Sequence, residues 1–187
     1  MIGELPCSLV VHGKEYDIET DFRWVLKTLA AFNDPDLENN EKALVCLMNT
    51  YLDFDALPQE DYEEAFREAL RFIDNGVESE GDRRPAPRVM DWEQDERLLF
   101  PAINKVAGFE TRSAEYVHWW TFVGWYMEIS EGVFSNILSL RLKRAKHKKL
   151  EKWEQEFWSA NKDICVLRER LSEEEKAERE RLQKLLG

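Results

Sequence analysis

The sequence predicts a mainly α fold, a helical bundle with a small N-terminal β-hairpin and a long C-terminal helix. Three observations carry this. Apolar residues recur at helical spacing through successive segments. Glycine and proline number only 8 and 6 in 187 residues, too few for an all-β sandwich with many tight turns. Charged residues reach 34% beside 43% hydrophobic ones, a balance that suits long solvent-facing helices around a real core.

The elements follow in order. Ser8 to Val11 and Glu15 to Ile18 flank a short His-Gly-Lys turn, in which Gly13 supplies the positive φ of a tight hairpin. A first helix starts at "ETDFRWVLKTLAAF", with Thr20 as N-cap and Asp21 in the first turn. Phe22, Val25, Leu26, Leu29 and Phe32 share one face of it. "NNEKALVCLMNTYL" gives a second helix with Ala43, Leu44, Leu47, Met48 and Tyr51 inward. The third is entered at Pro58 and followed by Gly76, with Tyr62, Phe66, Ala69, Leu70 and Ile73 as its stripe.

Residues 1–76 form this N-terminal part, and the aperiodic, proline-rich stretch 77–89 reads as a linker. Residues 90–132 hold two core helices. In the first, acidic one, Asp91 and Gln94 approach a capping box; it runs from Trp92 to Ala107 and stops at Gly108, with a kink or break predicted at Pro101. The second, aromatic one starts at Thr111 or Ser113 and ends near Gly132. Residues 133–187 read as a long charged helical arm from Phe134 toward Leu186. Leu150, Trp153, Phe157, Ala160, Ile164, Leu167 and Leu171 trace a coiled-coil or hairpin seam in it, and Ser172 with Glu175 forms a capping box.

A formal net charge of -12 repels nucleic acid and anionic membrane. Cys7, Cys46 and Cys165 are odd in number and lack ligand spacing, which points to a reducing compartment and no disulfide framework. Neither a signal peptide nor an apolar run of membrane-spanning length is visible, so a soluble intracellular protein is expected.

The segment "EYVHWWTFVGWYMEIS" raises the question of chemistry around His118. Glu115 lies one helical turn away, and Asp91, Glu93, Asp95 and Glu96 on the preceding helix are the acids available to a metal site. No nucleophile, HExxH pair or glycine-rich phosphate loop accompanies them, so His118 reads as structural, and neither enzyme activity nor a cofactor is expected. Val117, Trp120, Val123 and Met127 make one apolar stripe; Trp119, Phe122, Tyr126 and Ile129 make a second. A helix apolar on most of its circumference is a buried one, and any exposed ring on it is a docking anchor. The basic tract Arg141 to Lys149 reads as a solvated face; the alternative, a contact for an acidic partner or nucleic acid, lacks interleaved aromatics and a nucleic-acid fold signature. The candidate partner-binding or core residues are therefore His118, Trp119, Trp120, Trp125, Trp153, Phe157 and Ile164.

"GKEYDIETDFR", "MDWEQDERLLFPAINK" and "EYVHWWTFVGWYMEI", in this order, resemble the small tailed-phage family named for the product of phage gene fifteen. Thr20 to Arg23, Asp91, Glu93, Asp95 and His118 to Trp120 match its pattern, and Pro101 departs from the uninterrupted helix expected there. The resemblance covers roughly residues 5 to 170. It implies a tail-assembly chaperone that binds tape-measure or tail-tube protein during tail morphogenesis, in the cytoplasm of the bacterial host. The alternative is a structural tail or tail-completion component retained in the virion, its aromatic and heptad surfaces serving a homo-oligomer.

Overall fold

The structure, a computed structural model, describes residues 3–77 and 87–186. Residues 78–86, most of the predicted linker, lie outside the described residues. The described residues are mainly helical, with one two-stranded sheet near the N-terminus and a helix at the C-terminal end, as the sequence predicts. The chain divides into two compact units, residues 1–72 with 169–187, and residues 73–168.

The first unit opens with β1 (Ser8–Val11) and β2 (Lys14–Asp17), paired antiparallel with Ser8 opposite Asp17 and Val11 opposite Lys14. His12 and Gly13 both have positive φ, 46° and 82°, the backbone of a two-residue hairpin turn whose twist matches the strands. Strand β2 therefore begins at Lys14, one residue before the predicted start. Helix α1 (Phe22–Phe32) is capped by Asp21 and not by Thr20, because the Asp21 carboxylate accepts from Arg23 N at 3.0 Å.

In α2 (Asn39–Thr50) the buried side chains are Cys46, Leu47 and Thr50. Leu44 and Met48, predicted to face inward, are exposed. Burial pushes the Cys46 thiol up to about 12, so it behaves as an inert apolar group. Tyr51 closes α2 with a bridge to Ile18, and its buried hydroxyl donates to Ala65 O at 2.8 Å. Helix α3 (Tyr62–Ile73) buries Ala65, Ala69, Phe72 and Ile73. Its inner stripe is rotated from the predicted one, since Tyr62, Phe66 and Leu70 remain half-buried. Helix α9 (Glu173–Leu186) is the C-terminal helix, started by the predicted capping box: Ser172 N donates to Glu175 and Glu175 N to Ser172 Oγ.

The second unit contains α4 (Glu96–Ala107), α5 (Trp119–Met127), α6 (Val133–Ala145), α7 (Lys152–Ala160) and α8 (Lys162–Cys165). Helix α4 stays continuous through Pro101, which is exposed. The carbonyl deprived of its donor belongs to the exposed Arg97, where solvent can satisfy it, so no break follows. Gly108, at φ 82°, stops the helix as predicted.

The tract predicted to run helically from Phe134 is divided. His147 adopts φ 53°, with its N–H on Arg144 O and Lys148 N–H on Lys143 O, the double bond of a Schellman ending for α6. Glu151 and Glu154 then start α7 afresh with a capping box. The residues of the predicted seam are thus spread over separate helices and loops, and no continuous coiled-coil stripe forms. Trp153 is 56% exposed.

Candidate functional site

The aromatic helix begins later than the sequence suggests. Thr111–Ser113 form a separate 3-10 turn, held by Asn104 Oδ1, which accepts from Thr111 N at 2.9 Å and from Thr111 Oγ1 at 2.8 Å. The chain is extended at Ala114 and again at His118, and α5 starts at Trp119. Glu115 and His118 therefore do not share a helical face, which removes the geometry for the pairing considered from sequence. His118 is buried at the N-cap, where its Nδ1 accepts from Trp120 N at 3.0 Å. An imidazole nitrogen so used satisfies a helix start.

On α5 the deepest side chains are Trp119, Phe122 and Val123. Trp119 is 2% exposed, and its Nε1–H donates to Ile73 O at 2.9 Å. Phe122 touches no solvent and packs against Trp92, Phe100 and Trp119, with ring centroids 6.0 to 6.4 Å apart. Trp92 also lies 5.3 Å from the Tyr126 ring. The predicted stripe of Val117, Trp120, Val123 and Met127 divides: Val117 and Val123 are buried, Trp120 is half-buried and Met127 is 65% exposed. The Trp120 ring edge approaches Gly76, whose φ of 76° and lack of a side chain leave room for it; a Cβ there would sit 3.2 Å from the ring.

The remaining candidates sit at outer positions. Trp125 is half-buried, and Phe109, itself 45% exposed, packs edge-on against it at 5.5 Å. Trp153 and Phe157 belong to α7; the Trp153 Nε1–H donates to Glu151, and Phe157 is half-buried. Ile164, on α8, is half-buried and lines a cavity of about 350 Å³ with Leu98, Leu167 and Arg168.

Sequence reasoning missed the most organised polar cluster in this unit. Arg141, the first residue of the basic tract, is 6% exposed. All five of its N–H groups are donated: Nη1 and Nη2 grip the Asp95 carboxylate at 2.7 and 2.8 Å, and the others reach the carbonyls of Val89, Ile164 and Cys165. Asp95 also accepts from Asp91 N, and Asp91 in turn binds Arg88 and caps Glu93 N and Gln94 N. One signal was legible: Arg141 lies four residues after Ile137 and seven after Phe134, on the apolar stripe of α6. An arginine there must bring a partner.

Two of the four acids available to a metal site are therefore engaged elsewhere, Asp91 with Arg88 and Asp95 with Arg141. Glu154, 3% exposed, pairs with Lys143, whose ammonium holds the carboxyl below the usual glutamate range. Arg144 lies over the Trp158 ring at 4.5 Å. Within the basic tract only Arg141 is buried and Lys143 half-buried, while Leu142 and Arg144 to Lys149 are exposed. No helix among the described residues is long and apolar enough to cross a membrane.

Chemically, this arrangement offers apolar and aromatic contact surface on a scaffold pinned by buried hydrogen bonds. The sequence model of a family described as Bacteriophage Gp15 protein matches residues 1–167. No curated protein and no solved structure matches the chain.

Proposed function

The chain belongs to the bacteriophage Gp15 family, and on that premise we propose that it is a tail-assembly chaperone that holds tape-measure or tail-tube protein soluble before polymerisation. Family membership supports the coarser statement, a role in phage structure or morphogenesis. The finer one rests on the surface of the second unit. Large apolar side chains stay exposed there, among them Met127, Trp153, Tyr116 and Phe109, beside a half-buried Trp125. Trp and Phe cost little conformational entropy when fixed at an interface and bring large apolar area, which makes them effective anchors. A non-enzymatic carrier in the host cytoplasm needs such a surface and no reactive centre.

A transient factor and a retained tail component make different demands on the particle. Quantitative mass spectrometry of purified virions and of lysate taken before tail completion separates them. The chaperone reading expects the chain in the lysate and its absence from the virion. Stoichiometric presence in the virion would overturn it in favour of a structural component.

A further inference from the structure

Helices α2 and α3 of the first unit leave between them an open groove of about 410 Å³. Leu44, Leu47, Tyr62 and Phe66 line it, and its two charged lining residues, Glu41 and Glu63, are both acids. Leu47 is nearly enclosed, whereas Leu44 is 42% and Met48 57% exposed. The last two are four residues apart, so they stand one turn from each other on the same side of α2. Helix α2 thus carries two apolar faces, one spent on its own core and one left to solvent.

We infer that this groove docks an amphipathic helix of a partner protein, its apolar stripe seated on Leu44 and Phe66 and continuing along α2 over the exposed Met48, one turn beyond, and its flanking Lys or Arg side chains facing Glu41 and Glu63. The inference rests on the chaperone reading and names the part of the client that would be held. Helical walls and an apolar floor suit a helix laid in a groove, read through anchors at helical spacing. Charge decides the occupant. A second copy of this chain would bring the same acids to the same rim in a two-fold contact, setting glutamate against glutamate. A basic helix meets complementary charge on both rims.

The test titrates the full chain against a fluorescein-labelled amphipathic peptide of leucine and lysine, followed by anisotropy. A leucine–glutamate peptide with the same apolar pattern is the control. The Leu-Lys peptide is expected to bind and the Leu-Glu peptide not to. The double variant Leu44→Ser/Met48→Ser, altered only at exposed positions, should weaken binding by about tenfold or more. Glu63→Lys should weaken the Leu-Lys peptide and admit the Leu-Glu one, and it decides the matter if the double variant proves unfolded. Equal binding by wild type and Glu63→Lys, tight binding of the Leu-Glu peptide, or a wild-type dimer that dissociates in the double variant overturns the inference. Capture of tape-measure or tail-tube protein separates the two claims. Equal capture by wild type and groove variants removes the groove and leaves the chaperone reading. Binding of the Leu-Lys peptide without capture of either tail protein supports the groove and removes that reading.

Discussion

Asp95→Ala should lower stability by about 3–5 kcal/mol, because it strands the Arg141 charge inside the protein. The three carbonyls of Val89, Ile164 and Cys165 would still accept from the guanidinium, but none carries a charge to offset its desolvation. Asp91 N would lose its acceptor as well. A loss of this size is a sizeable fraction of the stability of an ordinary domain, so poor solubility or a much lower melting point is the visible outcome. Replacing both partners tells a different story. Asp95→Leu/Arg141→Met removes the charges together and should recover part of the loss, the remainder reflecting the carbonyls of Val89, Ile164 and Cys165 and the Asp91 N–H that lose these partners. Urea unfolding read by tryptophan fluorescence reports on this unit, where six of the seven tryptophans lie. An unchanged midpoint for Asp95→Ala would contradict the pinning role of the pair.

The second large effect belongs to Trp119. Truncation to alanine empties a site that is 2% exposed and leaves Ile73 O without its indole donor, a loss of about 3–5 kcal/mol. Trp120→Ala is expected to cost clearly less, about 1–2 kcal/mol, because half-buried apolar surface is worth only part of the full burial term. Thermal melts of the two variants give the order directly. Were Trp120→Ala the more damaging, the helix would be rotated from the position described and Trp120 would belong to the core.

That order also shows where the sequence stops speaking. With rings on nearly every side of α5, periodicity predicts burial but cannot choose which flank is deepest; packing against Trp92 and Phe100 chooses Trp119 and Phe122. The same holds for α2, where two apolar faces compete and contacts with the neighbouring helix decide. Local chemistry was far more legible. Gly13 marked the hairpin turn, Gly108 the end of α4, and Ser172 with Glu175 the start of α9, because each acts within a few residues of itself. Arg141 was hidden by its neighbours: a run of basic residues looks like a solvated face, and the buried member is betrayed only by its register with Phe134 and Ile137.

The residues that carried the family resemblance are in large part those that fix the backbone. Asp21 and His118 cap α1 and α5, Asp91 holds the turn before α4, and Asp95 anchors Arg141. These motifs therefore report the scaffold in large part, while Phe109, Trp153 and the α2–α3 groove lie outside them. Reading function from the motifs alone would have placed chemistry on side chains whose hydrogen bonds are spent on structure.

Co-expression of the chain with the tape-measure or tail-tube protein of the same phage, followed by centrifugation and size exclusion, tests the central claim most directly. The account predicts that one of these proteins moves from the pellet to the supernatant and elutes together with the chain. A tail protein that stays insoluble with the chain present, or that is soluble yet elutes apart from it, in both pairings, would contradict the account.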